Sequence, residues 1–138
     1  MTNYISTDKR KLDVDKIQQY ISTESYWGKG RTLEDVQTTI DNSFCFGMYD
    51  EHNNQIGFAR LVTDYILFAY IMDVIIFTEY QGNGYGKIMV DHIMNHELIK
   101  KVKTVALKTK DAHSLYERHG FKKVGDSAFW MSIDKIKL

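Results

Sequence analysis

The chain contains 138 residues, of which 43% are hydrophobic and 13% are aromatic, a composition typical of one globular domain that buries its own core. Lysine and arginine together number 18, as do aspartate and glutamate, so the formal net charge is zero. This balance argues against binding to nucleic acid or to an anionic membrane through bulk charge, and we expect a single domain over residues 1–138.

Signals for a membrane or an oxidising compartment are not found in the sequence. The N-terminal stretch MTNYISTDKRKLDVD lacks the apolar core of a signal peptide, and no apolar run approaches the roughly 18 residues of a membrane span. The single cysteine, Cys45, cannot form an intrachain disulfide and suits a buried apolar position within FCFGMY. The sequence therefore predicts a cytoplasmic protein without a membrane partner.

Two amphipathic helices are predicted in the first third of the chain. Asp13 is a candidate N-cap for the first helix, and Thr32 is a candidate for the second. The apolar positions at helical spacing are Val14, Ile17 and Ile21 in the first helix and Leu33, Val36 and Ile40 in the second. The stretch SYWGKGR, with two glycines, separates the two helices.

Three strands are predicted in the middle of the chain. FCFGMYD and QIGFARLVTD are joined by EHNN, whose asparagines suit a hairpin turn. LFAYIMDVIIF is almost continuously apolar, as expected of a strand buried on both faces, and only Asp73 interrupts it.

The rest of the chain predicts a helix, a short strand, a second helix and two closing strands. The helix YGKIMVDHIMNHE places Tyr85, Ile88, Met89 and Ile93 at helical spacing, and KTVALKT follows as a strand. Asp111 can cap the helix AHSLYERH, and FKKVG and AFWMSI read as the last strands. The order, close to β-α-α-β-β-β-α-β-α-β-β, indicates an α/β fold with a mixed sheet and helices on its faces.

The stretch EYQGNGYGK has three glycines at alternate positions directly after the buried strand. The Walker A pattern G-x-x-x-x-G-K-[ST] does not match, because Gln81 stands five residues before Gly86 and Ile88 follows Lys87. The dinucleotide fingerprint G-x-G-x-x-G does not match the G-x-G-x-G spacing either. A glycine-rich loop between a strand and a helix N-terminus still suits an anion, and a simple strand-to-helix turn is the alternative.

Two segments carry a resemblance to a known family. YQGNGYGK resembles the [Q/R]-x-x-G-x-[G/A] pyrophosphate loop of the GCN5-related N-acetyltransferases (GNAT), and DAHSLYERHGF resembles their [N/D]-A-x-x-L-Y-x-x-x-G-F element. SYWGKG, NSFCFGMYD, IGFARLVTD and WMSI extend the similarity to one bacterial branch over nearly the whole chain. Three positions depart from the family pattern, because Thr78 replaces a proline, Gln81 an arginine and Asp111 an asparagine. These departures predict weaker cofactor binding.

The resemblance implies a GNAT-type mixed sheet of about six or seven strands with about four helices. It also implies direct acetyl transfer from acetyl-CoA to a primary amine of a small molecule, peptide or protein. The cofactor-binding residues that it implies are Ile75, Ile76 and Phe77 through the strand backbone, Gln81, Gly82, Asn83, Gly84, Tyr85, Gly86 and Lys87 in the loop, and Asp111 and Ser114.

The resemblance also implies that Tyr116 is the general acid, which protonates the departing thiolate. The alternative is a packing role on the same helix face as Ala112. Asp73 is the first candidate for the general base, since a carboxylate in an apolar strand is costly unless it is paired or functional. The alternative for Asp73 is a hydrogen-bond partner for a neighbouring strand or loop. Weaker candidates for the base are Glu24, Glu79, His113 and a chain of waters.

Acceptor specificity is expected from side chains that arch over the sheet. The candidates are Tyr26, Trp27 and Arg31 in SYWGKGR and Trp130 near the C-terminus. A plug between the first two helices is the alternative for Trp27. His92 and His96 lack a third ligand, so no metal is expected.

The sequence leaves more than one possibility for the oligomeric partner and for the activity. Homodimers are common among GNAT relatives, so a homodimer is a further expectation. A catalytically silent module that binds or senses acyl-CoA is the rival function, and the two failed nucleotide motifs disfavour a nucleotide-binding regulatory domain.

Overall fold

A five-stranded sheet in the order β1-β2-β3-β4-β5 forms the centre of the computed structural model, which describes residues 3–125 and 127–135. The strands are β1 (Tyr4–Ser6), β2 (Phe44–Tyr49), β3 (Gln55–Thr63), β4 (Phe68–Ile76) and β5 (Thr104–Leu107). The first four strands are antiparallel neighbours, and β5 is parallel to β4. The predicted mixed α/β fold is therefore confirmed, with fewer strands than predicted.

Five α-helices accompany the sheet in the described part of the chain. They are α1 (Val14–Thr23), α2 (Leu33–Asp41), α3 (Tyr85–Met94), α4 (Glu97–Lys101) and α5 (His113–Glu117). The predicted caps are present, because Asp13 accepts a hydrogen bond from the Lys16 amide and Thr32 accepts one from the Asp35 amide. Over the described part of the chain, no helix combines the length and apolarity needed to cross a membrane.

Two apolar clusters hold the helices to the sheet. Cys45 and Phe46 are neighbours on β2 and point to opposite faces, so they join different clusters. The cluster of Cys45 includes Ile17, Ile21, Val36 and Ile40 from α1 and α2, and that of Phe46 includes Met89, Ile93, Leu98 and Ile99 from α3 and α4. Leu33 and Ile88, two of the apolar positions noted at helical spacing, are nevertheless 46% and 51% exposed. Leu33 is the first residue of its helix, and Ile88 lies to one side of the stripe formed by Met89 and Ile93.

The predicted helix over YGKIMVDHIMNHE is interrupted near its end. Helix α3 ends at Met94, and a separate helix, α4, begins at Glu97. His96 lies between them, and its Nδ1 accepts a hydrogen bond from the Leu98 amide at 3.1 Å, which makes it the N-cap of α4. The side-chain cap competes with helix continuation, so one periodic stretch gives two helices.

The predicted closing strands FKKVG and AFWMSI are not formed, because no residue in 121–125 or 127–135 pairs in the sheet. The alternation in AFWMSI predicts a strand, but a strand also needs a neighbour that takes up its backbone hydrogen bonds. Phe129, Met131 and Ile133 instead have exposed fractions of 94%, 92% and 89%. Asp134, just beyond them, forms an ion pair with Lys108.

A bulge interrupts the ladder between β3 and β4. Arg60 is opposite Met72, whereas Phe58, two residues earlier, is opposite Ile75, three residues later. Asp73 lies in the inserted stretch and has a φ of 52°, a left-handed conformation that aspartate adopts more readily than most residues. A bulge of this kind redirects a side chain, and here the redirected side chain is the carboxylate of Asp73.

The hydroxyl of Tyr49 offers a test of the core. Tyr49 is 2% exposed, its hydroxyl has no hydrogen-bond partner among the described residues, and burial raises its pKa to about 12. We expect Tyr49→Phe to raise the free energy of unfolding by about 1 kcal/mol at pH 8, since an unsatisfied buried hydroxyl is removed. Above pH 10 the wild type loses further stability because the unfolded tyrosine, with a pKa of about 10, ionises first. The phenylalanine variant lacks this contribution.

Urea unfolding at pH 8 and pH 10.5 measures both effects. Tyr4→Phe is the matched control, because the Tyr4 hydroxyl donates a hydrogen bond to Asn53 and its removal is expected to lower stability slightly. A loss of stability in Tyr49→Phe at pH 8 would show that its hydroxyl has a partner.

Candidate active site

A cleft opens where β4 and β5 part. The two strands pair from Phe68 opposite Thr104 to Ile71 opposite Leu107, and the pairing stops there. A cavity of about 470 Å³ occupies the gap, a volume in the range of small-molecule sites. It is lined by Tyr26, Trp27, Arg31, Tyr70, Ile71, Met72, Asp73, Val74, Leu107, Lys108, Thr109, Asp111, Ala112, Tyr116, Ile133, Asp134 and Lys135.

Of the three strand residues predicted to offer free backbone groups, Ile75, Ile76 and Phe77, the pairing with β3 leaves only Ile76 facing the cleft. The Phe77 amide donates to the Ile56 carbonyl of β3 at 2.9 Å, so it is not free for a ligand. Residues of an antiparallel pair alternate between hydrogen-bonded and non-hydrogen-bonded positions, so the amide and carbonyl of Ile75 also point toward β3. The amides and carbonyls of Ile76 and Val74 therefore point to the other side of the strand, toward the cleft. Val74 was missed because the bulge beside it could be seen only in the paired strands.

The glycine loop has a backbone conformation that suits an anion-binding site. Gly82 and Gly84 have φ values of 85° and 79°, which explains glycine at both positions. The first bond within α3 runs from the Ile88 amide to the Gly84 carbonyl, so the amides of residues 85–87 have no carbonyl partner within the helix. Gly86 has no positive φ, and a Cβ there would meet only Ile76, at 3.9 Å. The protein itself therefore does not require glycine at position 86.

The polar side chains of the loop bond within the protein. The Gln81 side-chain amide donates to the Ile76 carbonyl at 2.8 Å and to the Tyr20 hydroxyl at 3.1 Å, and that of Asn83 donates to the Tyr80 carbonyl at 3.1 Å. Lys87 is exposed on the first turn of α3. The backbone amides, rather than these two side chains, are the donors available to an anion.

Tyr116 lies on α5 at the wall of the cavity. It is 7% exposed, and its ring packs edge-on against Phe121 with centroids 5.8 Å apart. Burial, with a smaller contribution from nearby Tyr26, raises the pKa of Tyr116 to about 12. Its hydroxyl therefore keeps its proton throughout the neutral pH range.

Asp73 is the centre of a buried ion-pair network. Its Oδ2 accepts hydrogen bonds from Arg60 at 2.6 Å and Arg31 at 2.8 Å, and its Oδ1 accepts one from the Trp27 indole at 2.9 Å. The Asp73 side chain is 1% exposed. Both oxygens are engaged, so the geometry favours the alternative of a hydrogen-bond partner over that of a free base. The network ties the loop between α1 and α2 to the bulge in β4.

Other predicted site residues are divided between the cavity and the surface. Tyr26, Trp27, Arg31 and Asp111 line the cavity, whereas Trp130 and Ser114 do not. The helix α5 begins after Ala112 and its start has no side-chain cap, so the predicted capping role of Asp111 is wrong. The weaker base candidates Glu24, Glu79 and His113 are also outside the lining. Three C-terminal residues that line the cavity, Ile133, Asp134 and Lys135, were not predicted as site residues; Ile133 ends the WMSI segment, and no motif covers Asp134 or Lys135.

A family model and a named relative agree on one protein family for this chain. Residues 41–123 match the family model of the acetyltransferase (GNAT) domain. A protein of Gibberella zeae named as an acetyltransferase is 30% identical over an alignment of 135 residues. The match covers 83% of this chain and 76% of the relative.

Solved structures agree with the family match. A protein of Xanthomonas campestris pv. campestris described as a GNAT-family acetyltransferase has a TM-score of 0.86 at 36% identity, covering 96% of this chain and 94% of that chain. The spermidine N-acetyltransferase of Vibrio cholerae, solved with CoA and spermine, has a TM-score of 0.70 at 20% identity, covering 86% of this chain and 79% of that chain. At that identity the likeness shows the fold.

Proposed function

Because the chain belongs to the GNAT acetyltransferase family, we propose that it transfers an acetyl group from acetyl-CoA directly to a primary amine. The observation that carries the proposal is the parting of β4 and β5 around a cavity whose wall contains Tyr116. This gap brings unpaired strand backbone and a buried proton donor to one place, which acyl transfer requires.

The residues of the glycine loop fit the pyrophosphate of the donor. Glycine at position 86 has no explanation within the protein, since a Cβ there meets no atom closer than 3.9 Å. Close approach of a ligand to the first turn of α3 supplies the explanation. The unpaired amides of residues 85–87 would bind the phosphates together with the positive end of the helix dipole.

Two groups of this chain act at the reacting end. Bound acetyl-CoA supplies an activated thioester. We assign the cleft-facing amides of Val74 and Ile76 as candidate donors of a hydrogen bond to the thioester carbonyl oxygen, and one such donor is typically worth about 10²–10³ in rate. As the amine nitrogen bonds to the carbonyl carbon and the C–S bond breaks, the Tyr116 hydroxyl donates its proton to the departing thiolate in a concerted step. The proton that the amine loses passes to water, which then restores the proton of Tyr116.

Direct transfer is supported by the state of the single cysteine. Cys45 is 2% exposed within the core, and burial raises the pKa of its thiol to about 11. A nucleophilic cysteine needs an accessible thiolate, so Cys45 does not suit a covalent acetyl intermediate.

Release of free thiol from acetyl-CoA over a panel of primary amines tests the proposed function. Turnover with at least one amine supports it, and CoA binding without turnover for any amine supports the silent binding module. Thermal shift with CoA, ATP and NAD forms the second arm. Stabilisation by ATP or NAD and not by CoA would contradict both readings.

Position 86 gives a graded test of the pyrophosphate site. We expect Gly86→Val to weaken CoA binding by at least about 10-fold, since loss of hydrogen bonds to a charged group costs about 1.5–3 kcal/mol. Gly86→Ala adds only the Cβ and should weaken CoA binding less than Gly86→Val, because the family pattern accepts alanine at this position. Isothermal titration with CoA measures both dissociation constants.

Gly125→Val is the matched control, since an added Cβ at position 125 meets nothing within 4 Å and Gly125 lies outside the loop. The control should keep wild-type affinity. A folded Gly86→Val protein with unchanged CoA affinity would show that the phosphates bind elsewhere.

A further inference from the structure

A buried cluster of three charged side chains carries one excess positive charge beside the cavity. It consists of Arg31, Arg60 and Asp73, whose side chains are 17%, 6% and 1% exposed. One carboxylate faces two guanidinium groups, so the cluster is not neutral. Uncompensated charge in a low-dielectric interior is costly unless a partner completes it.

Arg31 is the basic member of this cluster that opens to the cavity. Its Nη1 donates to Asp73 at 2.8 Å, and Asp73 is the only acceptor of its guanidinium among the residues that the structure describes. A guanidinium has five N–H donors, so most of those on Arg31 are available. Asp73 also accepts from Trp27 and Arg60, so of its roughly four acceptor sites at most one remains for the other donors of Arg31.

The other charges of the cavity wall do not cancel this excess. Lys108 is paired with Asp134, and Asp111 and Lys135 contribute one charge of each sign. With Arg60 behind the wall, the site as a whole carries one positive charge. An acceptor with an anionic group would complete it, whereas a polyamine would add to the excess.

We propose that Arg31 binds a carboxylate of the acceptor, so that the substrate is an amine that also carries a carboxylate, such as an amino acid or a short peptide. A carboxylate matches the planar guanidinium with two parallel hydrogen bonds. The inference rests on the proposed function, because it assigns the acceptor of that same site.

The kinetic test uses matched acceptors that differ in the carboxylate. L-amino acids, the corresponding decarboxylated amines and dipeptides are compared by thiol release from acetyl-CoA with wild type, Arg31→Gln and Arg31→Lys. We expect Arg31→Gln to lower kcat/KM about 10- to 100-fold more for the carboxylate acceptors than for the decarboxylated amines. The lysine variant should be intermediate. Comparing variants on each acceptor removes differences in amine basicity.

The acceptor class, amino acid or dipeptide, whose kcat/KM falls more in Arg31→Gln is the one that the site prefers. Arg10→Gln is the matched control, since Arg10 is an exposed arginine paired with Asp8 and lies outside the cavity lining. Asp73 retains Arg60 in the Arg31 variants, so both are expected to fold, which thermal unfolding checks.

A binding measurement separates failure of this inference from failure of the proposed function. N-acetyl amino acids and their C-terminal amides are titrated into wild type and Arg31→Gln with CoA present, which needs no turnover. Binding of the acid that is lost in the variant supports the carboxylate site even if no amine is acetylated. Equal turnover of acids and decarboxylated amines in both proteins, or equal binding of acid and amide, would overturn the carboxylate site and leave acetyl transfer standing.

Discussion

Replacing Asp73 by asparagine is expected to lower the free energy of unfolding by about 3–5 kcal/mol, because breaking a buried ion pair leaves its partner charge uncompensated. The neutral amide keeps the size of the side chain and its tolerance of a positive φ, so the change isolates the charge. Arg31 and Arg60 would then face each other without a carboxylate between them. Equilibrium unfolding in urea measures the loss.

Glu79→Gln is the matched control for this substitution. Glu79 also forms an ion pair, with Lys16, but its side chain is 56% exposed, and exposed pairs contribute little. An Asp73→Asn protein as stable as the wild type would show that the network does not hold the bulge and the loop together.

The same variant distinguishes the two roles considered for Asp73. If Asp73 positions Trp27 and Arg31, the residual activity of Asp73→Asn should keep the pH dependence of the wild type. If Asp73 is the general base, the ascending limb of the kcat/KM profile that belongs to it should disappear. The hydrogen bonds to both of its oxygens favour the first result.

Replacing Tyr116 by phenylalanine is expected to lower kcat by about 10²–10⁴, the usual contribution of a general acid. The ring and its contact with Phe121 remain, so the thermal unfolding temperature and the dissociation constant of CoA should change little. A pKa of about 12 further predicts that ionisation of Tyr116 causes no loss of wild-type kcat below about pH 11. Steady-state kinetics between pH 7 and pH 10 measures both expectations.

Tyr65→Phe is the control, because Tyr65 is exposed on the loop between β3 and β4 and lies outside the cavity lining. It should retain wild-type kcat. Equal rates for wild type and Tyr116→Phe on an acceptor that does turn over would refute the acid role and leave Tyr116 as a packing residue.

Local features of this fold were predictable from neighbouring residues. The caps Asp13 and Thr32 each bond to an amide three residues later, and the EHNN turn joins β2 to β3. The family was predictable for the same reason, since its two motifs are short segments whose spacing is visible in the chain. Burial at helical spacing was correct at Ile17 and Ile21 and wrong at Leu33, because periodicity does not show how far a neighbour covers a helix end.

The sequence alone determined the family, the order of the main elements and the glycine loop, because each depends on residues that are close together in the chain. The tertiary structure decided the site. Asp73 meets Trp27 and Arg31, 46 and 42 residues away, and the bulge that directs it appears only when β3 pairs with β4. The same pairing turns the backbone of Val74, rather than that of Phe77, toward the cleft. Such contacts depend on which distant strands meet and in what register, which no local pattern specifies.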